Sequence, residues 1–184
     1  LIIGSGASGA AAAWQLARAG LRVTCLEQGD HVDYGRAAAA QPDWELLRQR
    51  AWSPSPNRRR QPADYPVADE ASPIKTLMYN AVGGSTIMWS CHSPRFHPSD
   101  FRTRSLDGVG DDWPLDYREL EPWYDLNEQM VGIAGLPGDP AYPPRKPHHL
   151  PPVPIGRGAE RLAGAFDRFG WHWWPSDVQI NTRA

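Results

Sequence analysis

The feature that most constrains the fold of this chain is the glycine-rich segment that follows its first apolar residues. The run Leu1-Ile2-Ile3 leads into Gly4-Ser5-Gly6-Ala7-Ser8-Gly9, and an acidic residue, Glu27, follows a second apolar run. This order predicts a strand, a glycine turn, a helix and a second strand, which is the arrangement of a dinucleotide-binding βαβ unit. The competing interpretation is an ordinary glycine-rich strand-to-helix turn with a surface glutamate.

Each glycine has its own expected role in such a unit. Gly4 permits the tight turn, Gly6 lets the backbone approach a pyrophosphate, and Gly9 lets the helix pack closely on the strand. The N–H groups at the start of the helix and its positive dipole end favour phosphate binding. Glu27 stands where a carboxylate would accept the hydroxyls of an adenosine ribose.

The residues around the motif fit a helix and a short strand. The segment from Ala7 to Ala19 is rich in alanine, contains no proline and precedes Gly20, which predicts a helix with a left-handed residue after its end. The segment 21–26 contains β-branched residues, which favours a short buried strand. We expect Cys25 in that strand to be a small core residue.

Composition bounds the classes of function. The 184 residues carry a formal net charge of −2, so no broad electrostatic attraction to nucleic acid is expected. Two cysteines give no disulfide framework, and no membrane span or signal peptide is visible. The chain begins inside an apolar strand without Met and ends at Asn181-Thr182-Arg183-Ala184 without a terminating signal. We therefore expect it to be a piece of a longer protein.

A proline-rich stretch over residues 30–73 follows the βαβ unit. It predicts an irregular excursion with one short helix over residues 43–51. Within it, the run Arg58-Arg59-Arg60 is flanked by proline and lacks interleaved aromatic residues. This pattern predicts a solvated loop and no nucleic-acid binding.

A second glycine segment, Gly83-Gly84-Ser85-Thr86, lies later in the chain. Two glycines followed by two hydroxyl residues make a loop whose backbone can approach a flat or charged ligand closely. Taken alone, the segment is best interpreted as a Gly-Gly hairpin turn. Its pairing with the first motif favours a ligand-binding loop.

In this order the motifs resemble those of the glucose–methanol–choline (GMC) family of flavin oxidoreductases, in particular the branch of gluconate and sugar dehydrogenase flavoproteins. Three further segments carry the resemblance: Pro94–Phe101, Asp112–Leu115 and Leu120–Tyr124. It implies an α/β, Rossmann-like FAD/NAD(P)-binding domain over residues 1–110. Residues 111–184 would form the start of an α+β substrate-binding domain and the return toward the FAD domain. The implied activity is oxidation of an alcohol or sugar hydroxyl with hydride transfer to FAD.

Carried onto this sequence, the family's motifs imply a cofactor site in two parts, with Glu27 on the adenosine ribose. The pyrophosphate side would be formed by Gly4, Ser5, Gly6, Ala7, Ser8 and Gly9. The flavin side would be formed by Gly83, Gly84, Ser85 and Thr86, with the ring of Trp89 in place of the Asn that many members carry. Met88 stands where members with a covalent flavin have His, so we expect non-covalent FAD.

No catalytic residue is predicted in this chain. In the family, the His that removes the alcohol proton lies far toward the C-terminus, and none of the six His residues here matches that motif. His92, His97 and His148-His149 lack metal-ligand spacing, so no metal site is predicted. The implied partners are a small alcohol or sugar substrate and an electron acceptor, a cytochrome or a quinone-linked protein. A periplasmic and a cytoplasmic location both stay open.

The region after residue 110 predicts two helices and a strand. The spacing of Asp116 and Glu119 predicts a capping box, and Pro122 suits the first turn of the helix that follows. The expected buried face of this helix consists of Trp123, Leu126, Met130 and Val131. A second amphipathic helix is expected over residues 159–169 and a strand over residues 171–174.

Two other classes of function stay open from the sequence. One is a different dinucleotide-dependent dehydrogenase, and the other is a non-catalytic nucleotide-binding module. The segments Gly83–Thr86 and Asp112–Leu115 count against a simple NAD domain, which has no need of them.

Overall fold

The computed structural model describes residues 1–33, 42–44, 46, 50–146 and 149–183. The chain forms two compact units, Leu1–Trp89 and Ser90–Ala184. The predicted domain boundary between residues 110 and 111 lies inside the second unit, and that domain assignment stays a prediction. Residues 45 and 47–49 of the predicted helix over residues 43–51 lie outside the described residues, so that helix stays a prediction.

The first unit opens with the predicted βαβ unit. Strand β1 (Ile2–Ile3) pairs in parallel with β2 (Cys25–Leu26), and helix α1 (Ala7–Arg18) connects them. The helix ends where the sequence predicts, because Gly20 has a φ of +81° and donates its N–H to the Ala17 carbonyl at 3.0 Å. The predicted strand over residues 21–26 is shorter in the structure and spans two residues.

The prediction of a buried Cys25 is wrong. Its thiol is exposed and donates to the Gly4 carbonyl across 3.5 Å, and the neighbouring strand residue Ile3 is 84% exposed. The reason lies in the sheet, which has two strands in the described part of the chain. The outer face of such a narrow sheet stays open to solvent there.

The prediction of a solvated loop for the arginine run is wrong for its central member. Arg59 ends the short helix α2 (Pro56–Arg59), is 6% exposed and forms an ion pair with Asp64. Its guanidinium also donates to the carbonyls of Ser53 at 2.6 Å and Met78 at 3.0 Å, and it lies 4.3 Å from the ring centre of Tyr79. The buried charge is therefore fully partnered and anchors the proline-rich stretch.

The second unit contains the predicted capped helix. Helix α4 (Tyr117–Val131) follows a short 3₁₀ turn (Pro98–Arg102) and α3 (Thr103–Asp107). The Asp116 carboxylate accepts the N–H groups of Arg118 and Glu119, and the Glu119 carboxylate accepts the Asp116 N–H, which confirms the capping box. Pro122 lies inside the helix rather than in its first turn, because the helix begins at Tyr117.

The predicted buried face of α4 is wrong. The four apolar residues of that face are all exposed, Trp123 by 65%. The helix instead buries the side that carries Tyr117 and Glu128, because these side chains surround the guanidinium of Arg95. Arg95 is 2% exposed, so its ion pairs rather than apolar contacts decide which side of the helix faces inward.

The remaining elements of the second unit are a short parallel ladder and one more helix. Strands β3 (Ile133–Ala134) and β4 (His149–Leu150) pair in parallel, and α5 (Arg157–Phe169) ends at Gly170 as predicted. The predicted strand over residues 171–174 is absent, since the bridges in this region form at Val178 instead. Hydrogen bonds of the indole N–H groups of Trp173 and Trp174 fix that segment. No helix among the described residues is both long and apolar enough to cross a membrane.

Candidate cofactor site

The first glycine segment forms the turn between β1 and α1. A Cβ atom built on Gly9 would lie 1.9 Å from the Gly4 carbonyl oxygen, so the helix packs on the turn at a distance that a side chain would block. Ala7 and Ser8 are exposed in the first turn of α1, and no side chain of the described chain caps this helix. Its first N–H groups therefore remain available to an anion.

Glu27 lies directly after β2, and its side chain contacts the glycine turn. One carboxylate oxygen accepts both the N–H and the hydroxyl of Ser5 at 2.7 Å, and the other accepts the Gly29 N–H at 2.9 Å. These bonds lower the pKa of Glu27 from 4.5 to about 2, and the bond from the Gly29 N–H has the largest effect. The side chain is therefore an anion at neutral pH and an acceptor of hydrogen bonds.

The second glycine segment forms a tight turn into a 3₁₀ helix (Gly84–Met88). Gly83 has a φ of +98°, a conformation that strongly favours glycine. The Thr86 hydroxyl donates to the Gly83 carbonyl at 2.6 Å, and the Ser85 hydroxyl accepts the Tyr79 N–H at 3.2 Å. The interpretation as a hairpin turn is wrong, because a helical turn rather than a second strand follows the glycines.

The structure brings the two glycine segments together within the first unit. The Ser5 hydroxyl accepts the N–H of Gly83 at 3.0 Å, although 78 positions separate them in the sequence. A Cβ atom on Gly84 would lie 3.4 Å from the Gly6 Cα, so the two backbones are in contact there. The two glycine segments predicted for the pyrophosphate and flavin sides are thus adjacent in the first unit.

Trp89, the last predicted site residue, follows the 3₁₀ helix. Its N–H donates to the Thr86 carbonyl at 3.2 Å, and its side chain is 43% exposed. The backbone of Trp89 is therefore hydrogen-bonded to the second glycine segment.

A further backbone contact lies next to the two glycine segments, between Gly29 and Ala81, which were not among the predicted site residues. A Cβ atom on Gly29 would lie 2.2 Å from the Ala81 nitrogen, so the close approach of these two segments requires glycine at position 29. Asp30 and Ala81 form a parallel bridge, and the Asp30 carbonyl accepts the Val82 N–H at 3.1 Å. Gly29 itself could have indicated a close backbone contact. Its partner, Ala81, could not be predicted because it lies far along the chain.

The described residues contain no group of three or more His, Cys, Asp or Glu side chains arranged to hold a metal ion.

The chain is similar to several known proteins. The model of the NAD(P)-binding Rossmann-like domain family matches residues 2–42, which include the first glycine segment and Glu27. The 2-methyl-1,2-propanediol dehydrogenase of Mycolicibacterium austroafricanum is 44% identical over the whole chain. The fructose dehydrogenase large subunit of Gluconobacter japonicus is 29% identical, also over the whole chain. The gluconate 2-dehydrogenase flavoprotein of Pantoea cypripedii is 29% identical over 73% of it.

The chain is a homologue of these dehydrogenases. The expected similarity to dehydrogenase flavoproteins and the Rossmann-like α/β fold are thereby confirmed, and membership of the GMC family stays a prediction. The chain covers 33%, 36% and 25% of the three relatives, so it spans about a third of the length of the first two. The flavoprotein name and the Rossmann-like family model together indicate a flavin or nucleotide cofactor.

Proposed function

We propose that the protein is an FAD-dependent oxidoreductase that acts on CH–OH groups of alcohols or sugars. The observation that carries the proposal is the junction of the two glycine segments through the Ser5 hydroxyl and the Gly83 N–H, with the ionised Glu27 beside it. Beside this junction, the first turn of α1 offers N–H donors and Glu27 offers a carboxylate acceptor. A dinucleotide, which has anionic and hydroxyl groups in one molecule, matches that set of donors and acceptors.

The residues of the chain divide the cofactor between them in this proposal. The first-turn N–H groups of α1 bind the pyrophosphate, and Glu27 accepts hydrogen bonds from the adenosine ribose. The flavin side is formed by Gly83, Gly84, Ser85, Thr86 and Trp89. When bound, FAD supplies the acceptor for the hydride that leaves the substrate carbon. No residue of this chain is proposed as the base, because the family's catalytic histidine motif has no counterpart in it.

The domain assignment and the partners belong to the same proposal. Residues 1–110 contribute to the FAD-binding domain, and residues 111–184 begin the substrate-binding region. The relatives include dehydrogenases named for a diol, for fructose and for gluconate, which supports a small hydroxylated substrate. An electron-acceptor protein, a cytochrome or a quinone-linked protein, would reoxidise the flavin.

The second candidate is a nicotinamide dinucleotide in place of FAD. It is favoured by one observation, the match of residues 2–42 to a family model described as NAD(P)-binding. The visible absorbance of the intact protein, purified without added cofactor, separates the two candidates. Flavin bands identified as FAD after release support the proposal, and a colourless protein that binds NAD but not FAD contradicts it.

The mode of flavin attachment is a finer part of the proposal. Met88 has a thioether in place of the imidazole nitrogen that forms the flavin bond in covalent members of the family. Acid precipitation of the intact protein should therefore leave the flavin in the supernatant. Flavin that stays on the protein pellet would contradict non-covalent binding.

A further inference from the structure

The hydroxyl of Ser5 lies between the two parts of the candidate site. It donates to a Glu27 carboxylate oxygen at 2.7 Å and accepts the Gly83 N–H at 3.0 Å. The backbone N–H of Ser5 also donates to the same carboxylate oxygen at 2.7 Å. One residue thus connects the acidic group of the first glycine segment to the backbone of the second.

The single proton of the Ser5 hydroxyl limits the hydrogen bonds that it can form with a ligand. A serine hydroxyl has one proton, and here Glu27 accepts it, since the low pKa of Glu27 leaves the carboxylate without a proton of its own. The lone pairs of the Ser5 oxygen can still accept, and Gly83 already donates to them. An ionised pyrophosphate has no proton to donate, so it cannot form a hydrogen bond with the lone pairs of the Ser5 oxygen. The Ser5 N–H is engaged by Glu27 as well.

We propose that Ser5 is a positioning residue, which fixes the Glu27 carboxylate for the adenosine ribose and ties it to the Gly83 turn. This inference rests on the proposed binding of FAD, and it replaces direct contact of the Ser5 side chain with the pyrophosphate. A glutamate side chain loses rotamer freedom when it binds a ligand, which opposes binding. Because Ser5 and Gly29 already hold both carboxylate oxygens, that loss has occurred before the ligand arrives.

The test compares two probes with the deflavinated intact protein. One probe is FAD, and the other is the FAD analogue whose adenosine ribose lacks its 2′-hydroxyl. A hydrogen bond to a charged group predicts that the wild-type protein prefers FAD by about tenfold. Ser5→Ala and Glu27→Gln should each reduce this preference to about twofold, while Ser5→Thr, which retains a hydroxyl, should keep most of it.

The control is Ser72→Ala. Ser72 is a partly buried serine of the first unit whose hydroxyl accepts the Ile74 N–H at 3.1 Å, remote in sequence from both glycine segments. The Ser72→Ala substitution should leave the preference for FAD over its 2′-deoxy analogue unchanged. An equal loss of affinity for both probes in Ser5→Ala would indicate direct phosphate contact and overturn the proposal, as would no loss for either probe.

A measurement without any cofactor separates failure of this inference from failure of the proposed function. In a double-mutant cycle, the unfolding equilibria of Ser5→Ala, Glu27→Gln and the double variant should show coupling of about fivefold. Coupling in a protein that binds neither probe would retain the Ser5–Glu27 link and refute FAD binding. FAD binding without coupling, and without a change of preference in Ser5→Ala, would refute the role of Ser5 and retain the proposed function.

Discussion

Two glutamates of this chain, Glu27 and Glu128, each accept several hydrogen bonds but have opposite surroundings. Glu27 takes its bonds from backbone N–H groups and a hydroxyl, and it is partly exposed beside two glycine turns. Glu128 takes its bonds from the guanidinium groups of Arg95 and Arg145 and is 3% exposed. The first carboxylate keeps a net negative charge facing a site, whereas the second is neutralised inside the fold. The difference identifies Glu27 as the one suited to a ligand.

The largest expected effect comes from breaking the buried cluster. Glu128→Gln removes the anion between two guanidinium groups, so the free energy of unfolding should fall by about 3–5 kcal/mol. Urea unfolding of the intact protein, followed by tryptophan fluorescence, measures this loss. Glu121→Gln makes the same chemical change on the same helix outside the cluster and should change stability by less than about 0.5 kcal/mol. Equal effects of the two variants would contradict a structural role for Glu128.

A smaller loss of stability is expected from the contact between the backbones at Gly29 and Ala81. Gly29→Ala places a Cβ 2.2 Å from the Ala81 nitrogen, and the backbones must separate. We expect a loss of about 1–3 kcal/mol in unfolding free energy together with loss of FAD binding.

The matched control for that substitution lies in helix α5. A Cβ on Gly164 would meet nothing nearer than the Arg168 guanidinium at 4.0 Å. Gly164→Ala should therefore stabilise the protein by about 0.5–1 kcal/mol, because alanine loses less backbone freedom in a helix. If Gly29→Ala were equally harmless, the close contact with Ala81 would be refuted.

Glu27 should also make the stability of the protein depend on pH. Folding lowers its pKa from 4.5 to about 2, so its ionised form adds stability above pH 4.5, and this contribution is lost as the pH falls toward 2. The difference in stability between the wild type and Glu27→Gln should therefore shrink over that interval. Chemical unfolding at a series of pH values measures it, with the exposed Glu70→Gln as the control for overall charge. A difference that is constant down to pH 2 would contradict the hydrogen bonds to Ser5 and Gly29.

Local sequence signals predicted the parts of the fold that depend on neighbouring residues. The βαβ opening and the capping box at Asp116 are of this kind, because a glycine turn and a cap act within a few positions. The errors concern partners far apart in the sequence. Burial of Arg59 depends on the Met78 carbonyl, and the inward side of α4 depends on Arg95, which periodicity does not reveal.

The candidate site divides in the same way. The members of each glycine segment could be proposed from the sequence, since each motif is continuous. The bond from Gly83 to Ser5 and the contact of Gly29 with Ala81 could not, because they require the folded path of the residues between them.

The central claim is that the two glycine segments form one dinucleotide site, and ligand titrations of the deflavinated intact protein test it most directly. The measurement compares FAD with ADP, which contains only the adenosine diphosphate half, in Glu27→Gln and Thr86→Ala. Glu27→Gln should weaken both ligands by about tenfold, and Thr86→Ala should weaken FAD alone by about fivefold. Equal weakening of FAD and ADP by Thr86→Ala, or unchanged FAD affinity in both variants, would contradict a single shared site.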